Sequence, residues 1–242
     1  MFLIATAHEI REATAVPARE EDPFSVMART AFERIYAEIL PARPGARLAI
    51  ALANCYGGWT FCDPQIKRLV EEGPGRVSAY LSVAWFPAAA QGQITIKNEL
   101  KIPALTLSTE FYAFYDAMRV CRSWLKQGVC DVALAGAAET VGSPFLSSAF
   151  GPGPRSDAVA WFAFANEGEE RVRIDEEPPP AHPEASLTID QELYRGTPLK
   201  GSSALPLILL AAREKRPCTV EVPRRMVVRA DQGGLNLWRS ET

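Results

Sequence analysis

Four short, nearly uninterrupted apolar runs constrain this chain more than any other feature: RLAIALAN (47–54), IPALTLST (102–109), CDVALAGAAE (130–139) and AVAWFAFAN (158–166). Each is bounded by turn or polar residues and is short for a helix. Such runs predict strands covered on both faces, as in a sheet sandwiched between helices.

Helical segments separate them. In DPFSVMARTAFERIYAEIL, Asp22 is placed to cap and Pro23 suits a first turn. Phe24, Met27, Ala28, Ala31, Phe32, Ile35 and Ile39 recur there at helical spacing. After a Gly-Gly turn, DPQIKRLVEEG predicts a second helix capped by Asp63 and stopped by Gly73. From about Glu110 to Gln127 a third helix carries Phe111, Phe114, Tyr115, Met118, Cys121 and Leu125 on one stripe, with Gly128 to end it.

Strands alternating with helices predict an α/β layered fold around a largely parallel sheet, complete by about residue 170. The apolar start MFLIATA adds a buried first strand. Beyond residue 170 the texture changes. RVRID predicts a strand, EEPPPAHPEAS a loop, GSSALPLILLAAREK an apolar helix, and TVEVPRRMVVRADQGGLNLW a strand pair around a Gly-Gly turn.

Composition excludes several function classes. A net charge of −3 with scattered Lys and Arg gives no electrostatic case for nucleic acid or an anionic membrane. No apolar run approaches the ~20 residues of a membrane span, and MFLIATA lacks the marks of a signal peptide, so a cytosolic protein is expected. The five cysteines lack CxxC spacing, and the two histidines, His8 and His182, have no neighbour at ligand spacing. Reduced thiols and no metal are expected.

Motifs of common chemistry are missing too. There is no Walker loop, no GxGxxG after a strand and no GxSxG elbow. GPGP at 151–154 reads as a rigid turn, and Ser202 and Ser203 as helix caps. Glu110, Asp116 and Glu139 sit near element ends; Glu110 suits a helix N-terminus electrostatically, and acid–base work is the alternative.

The stretch from Gln91 to Glu139 resembles the N-terminal half of the β-ketoacyl synthases, the condensing enzymes of fatty acid and polyketide synthesis. The matching residues are Gly92, Ile94, Pro103, Thr106, Thr109, Gly128, Asp131 and Ala133 to Gly136. The resemblance extends back to DPFSVM and forward through SDAVAWFAFANEGEE. KGSSALPLILLAAREKRPCTVEVP and DQGGLNLWRS look like the family's last helix and closing strand turn. It implies a thiolase-like α-β-α-β-α fold, with a complete N-terminal half (1–170) and an abbreviated C-terminal half (171–242) packed on it as one unit.

The departures from the pattern bear on function. Active members carry a nucleophilic Cys at the strand-to-helix turn, where a helix N-terminus favours the thiolate. Phe111 stands there in this chain. The family's histidines come from its second half. The segment for the first is missing here, and Pro198 occupies the place of the second, just ahead of Gly201. Cys121 lies some three turns into the helix, where core packing accounts for it.

The resemblance therefore implies no catalytic residue and no cofactor. It points to a chain-length-factor-like partner that pairs with an active ketosynthase through PALTLST and meets acyl carrier protein indirectly. The variants found in aryl polyene clusters are the nearest in pattern. Trp85 and Phe86 would project across the interface toward the acyl tunnel, with Thr106 and Ser108 on the pairing strand and its end. Phe111, Tyr112, Phe114 and Tyr115 would fill this subunit's own vestigial pocket. Two alternatives stand beside this: a thioester hydrolase or decarboxylase using Glu110 or a displaced nucleophile, and a free-standing acyl-binding module.

Overall fold

A computed structural model describes residues 1–12, 22–109, 112–150, 156–168, 170–175, 210, 218–222, 226–231 and 234–239. The four apolar runs form four adjacent strands: β2 (Leu48–Ala53), β3 (Ala104–Leu107), β4 (Val132–Glu139) and β5 (Ser156–Ala165). Their spatial order is β3-β2-β4-β5, and β1 (Phe2–Glu12) follows β5.

Two expectations need correction. β2 pairs in parallel with β3 and β4, but β5 runs antiparallel to both β4 and β1. α6 (Pro144–Phe150) lies between β4 and β5 in the chain. Asp63, just beyond the carboxyl end of β2, accepts hydrogen bonds from Ser143 Oγ and Phe145 N, both 2.8 Å. Second, β2, β4 and β5 are buried throughout, whereas β3 is not, because it is the edge strand.

Period-two alternation divides the sheet between two helical layers. Ile50, Leu52, Val132, Leu134, Val159 and Trp161 pack with α1 (Pro23–Ala42) and α4 (Ala89–Lys97). Ala49, Ala51, Ala53, Ala133, Ala135 and Ala137 face α5 (Ala113–Lys126), and their small size lets that helix lie close. Gly136 is required by the bulk opposite: a Cβ there would stand 2.5 Å from the buried Trp161 ring. Trp161 keeps its own polar atom satisfied by donating from Nε1 to Ala28 O at 3.0 Å.

Asp22 caps α1 as expected, its Oδ1 accepting from Ser25 N at 2.9 Å. The second helix differs from the sequence reading. α2 spans Trp59–Glu72, so Asp63 and Pro64 lie within it, and Gly73 ends it at φ +87°. Its first turn forms over Gly58, and Asp63 is left to serve α6.

β6 (Glu170–Asp175) touches β1 through Phe2↔Arg171 and Leu3↔Glu170, and continues the sheet into β9 (Gly234–Arg239), β8 (Met226–Asp231) and β7 (Cys218–Val222). The last stretch therefore holds three strands where a pair was expected. Val172 and Leu210 join the core on the α5 side. The apolar helix expected over GSSALPLILLAAREK, the Pro-rich loop with His182, and Pro198 fall outside the described residues, Leu210 excepted.

Candidate functional site

In an open α/β sheet, the carboxyl ends of the parallel strands are where ligands and functional loops gather. β2 gives way there to Asn54, Cys55, Tyr56, Gly57 and Gly58; β3 to Ser108 and Thr109; and β4 ends at Glu139. Glu139 is fully buried, and its carboxylate accepts from the backbone N–H of Cys55 (2.7 Å) and Tyr56 (3.2 Å). It is a fastening for the loop after β2.

That loop in turn supports another. Asn54, also fully buried, donates from Nδ2 to Pro87 O at 2.8 Å. Gly57, at φ +53°, would place a Cβ 3.5 Å from Pro87 Cα, and a Cβ on Gly58 would stand 2.2 Å from Ala84 O. Residues 84–87 therefore rest on the glycine turn, where Gly58 has no room for a side chain and Gly57 holds a left-handed φ that favours glycine.

The supported segment carries Trp85 and Phe86, 59% and 53% exposed, with their rings 5.8 Å apart in an edge-on arrangement. Trp85 Nε1 donates to Ser82 O at 3.1 Å, closing α3 (Leu81–Ala84). At the start of α3, Tyr80 donates to Asp22 Oδ2 (3.3 Å) and accepts from Gln93 Nε2 of α4. Burial raises the Asp22 carboxyl above its ordinary pKa, with the hydrogen bonds from Ser25 and Tyr80 opposing. Burial, then the Asp22 charge, raises Tyr80 likewise.

Asn54 joins this segment to the end of β3, its backbone N–H donating to Leu107 O at 3.0 Å while its Nδ2 holds Pro87 O. β3 is paired to β2 on one side, and no strand among the described residues covers the other. Leu105 on this edge is 42% exposed, Thr106 is half-buried and Ser108 exposed. α4, which packs against β3, adds exposed Ile96. A naked edge flanked by large apolar side chains is a surface that soluble proteins normally cover.

Phe111 and Glu110, the residues at the expected elbow, lie outside the described residues. Around them, Tyr112 is half-buried, and Phe114 and Tyr115 are buried in the core, Phe114 against Phe162 at 5.3 Å. Thr109 does not cap the helix with its side chain; its hydroxyl donates to Asp116 Oδ2 at 2.7 Å. Cys121 is fully buried, and burial drives its thiol well above the ordinary value. Burial, mainly, raises Cys62 and Cys130 to about 11. At neutral pH all three remain thiols, which are poor nucleophiles. No group of residues suited to a metal ion occurs among the described residues, and none of their helices is long and apolar enough to cross a membrane.

The resemblance had singled out Trp85 and Phe86, which the structure places on the surface; Asn54, Glu139, Gly58 and Tyr80, which hold their turn, it had not. The NCYGG string was the available signal, since an Asn and paired glycines follow a strand that is otherwise wholly apolar.

No protein-family model matches the chain. Among curated proteins it is 33% identical over 115 residues to the tetracenomycin polyketide synthase ketoacyl synthase beta subunit of Streptomyces glaucescens, covering 43% of this chain and 28% of that one. Among solved structures, a chain of a type II polyketide synthase complex of acyl-carrier protein and ketosynthase superposes with a TM-score of 0.53 at 29% identity, over 59% of this chain and 46% of that one. The chain is β-ketoacyl synthase-like. Its β3-β2-β4-β5-β1 sheet between helical layers accords with the thiolase-like fold expected. A ketosynthase and chain length factor complex from Xenorhabdus doucetiae shares the fold, with a TM-score of 0.50 at 11% identity, over 71% of this chain and 85% of the matched one. The chain spans less than two fifths of the length of the curated relatives it matches.

Proposed function

We propose that the protein is a non-catalytic, chain-length-factor-like subunit that pairs with an active β-ketoacyl synthase in the cytosol. Residues 1–170 form the ketosynthase-like half, and 171–242 a shortened second half packed on it. The observation that carries the reading is the open β3 edge, together with the exposed Trp85 and Phe86 on the turn that Asn54 joins to the end of β3. Joining β3 to the matching strand of a partner extends one sheet through two subunits and satisfies the edge's free N–H and C=O groups. Trp85 and Phe86 then enter the partner, where their bulk limits the length of the growing acyl chain. This is a steric role requiring no nucleophile, which suits a chain with Phe111 at the elbow and Pro198 at a histidine position.

Phe111, Tyr112, Phe114 and Tyr115 fill the subunit's own former pocket; the burial of Phe114 and Tyr115 supports this. Thr106 and Ser108 lie along the pairing strand and its end. Acyl carrier protein meets the pair through the catalytic subunit. A reserve nucleophile at Cys121 is disfavoured by its burial.

Co-expression with the partnering ketosynthase followed by native mass spectrometry tests the pairing. A 1:1 complex is expected, and Leu105→Lys, which sets a charge on the edge, should abolish it while leaving the circular dichroism spectrum unchanged. A complex indifferent to Leu105→Lys would place the interface elsewhere.

A further inference from the structure

Segment 80–93, which carries Trp85 and Phe86, is held at four points by residues from other elements or from its own far end. Tyr80 at its start is bonded to Asp22, at the N-terminus of α1. Ala84 O abuts Gly58, Pro87 O accepts from Asn54, and Gln93 ties back to Tyr80. Behind Asn54, Glu139 clamps Cys55 N and Tyr56 N, so this support runs across the sheet from β4 to β2 before reaching the turn. A surface turn bearing two half-exposed rings has little packing of its own to hold it. Its placement is therefore set from beneath.

We infer that Asn54 and Tyr80 are positioning residues that fix the Trp85–Phe86 turn and so set the sharpness of product length without touching the acyl chain. The inference rests on the tunnel reading above. Removing the Asn54 amide leaves Pro87 O without its donor and releases the turn on one side. Removing the Tyr80 hydroxyl frees it at the other. In either case the rings sample more than one depth, and a stop that was single becomes graded.

The test uses Asn54→Ala and the milder Tyr80→Phe, each in the full chain, alone and co-expressed with the ketosynthase. Trp85 fluorescence is isolated by difference against Trp85→Phe. Both variants should lower the Trp85 anisotropy, and the share of off-length products should rise about fivefold, the population shift set by one net hydrogen bond. Total turnover and the 1:1 complex should be retained. Folded variants with wild-type anisotropy would overturn the inference. So would wild-type product lengths at lowered anisotropy while Phe86→Ala still shifts them. If Phe86→Ala leaves product length unshifted as well, the tunnel reading falls together with the inference.

Discussion

Arg47 and Asp131 are locked together at the entry to the two central strands. The Arg47 backbone N–H and Nε donate to Asp131 Oδ2 at 2.9 and 3.1 Å, and its terminal nitrogen to Oδ1 at 2.8 Å. The pair sets the register in which Leu48 faces Val132. The Arg47 side-chain and backbone bonds pull the Asp131 carboxyl down to about 2. A depressed carboxyl stabilises the fold above its ordinary pKa of 3.8, and that contribution disappears as the pH falls through about 2. Thermal denaturation of Asp131→Asn from pH 7 to 2 should show a deficit that is constant down to pH ~4 and vanishes near pH 2. A deficit that persists in acid would assign it to packing.

Asp22 has the opposite sign. Burial raises its carboxyl, so the charged form carries a penalty at neutral pH that is relieved as the pH falls through the raised value. Asn keeps the capping acceptor and cannot ionise. Asp22→Asn should stay close to wild type at pH 7, the relieved burial penalty offsetting the lost acceptor for Tyr80, whereas Asp22→Ala should lose about 1 kcal/mol with the cap. Urea denaturation at pH 7 and pH 5 distinguishes these; an Asn variant weaker than Ala would contradict the burial argument.

Gly136 lies directly against Trp161. Gly136→Ala should force the indole off its bond to Ala28 O and destabilise the protein by about 1–3 kcal/mol, the range for overpacked cores. Near-ultraviolet circular dichroism should record the displaced indole. Wild-type stability and spectrum would show that the neighbouring elements yield more easily than the close approach implies.

Asp63 holds Ser143 and Phe145 and so keeps α6 at the carboxyl ends of the strands. Asp63→Ala should cost about 1 kcal/mol, the typical value of a lost helix cap. Hydrogen exchange should rise in α6 and remain unchanged in α5. Uniform exchange changes in both helices would contradict this local role.

β2, β4 and β5 were legible because burial on both faces leaves a run of apolar residues that needs no partner information. Strand direction was not, since periodicity carries no sign: β5 reads like β4, yet pairs antiparallel to it. Asp22 was legible as a cap because its donor, Ser25 N–H, lies three residues away. Asp63 was misread for the complementary reason. Its partners are 80 and 82 residues away, and only the fold brings them together. Asn54 and Glu139 belong to the same class, with partners 33 to 84 residues distant. The exposed pair Trp85 and Phe86 could be singled out by resemblance, but the bed beneath them could not.

The most direct measurement of the account is the product profile of the co-expressed pair with Phe86→Ala. Removing the ring from the exposed turn should lengthen the products while the 1:1 complex and total turnover persist. Products of unchanged length from an intact complex would contradict the claim that this chain measures its partner's acyl tunnel.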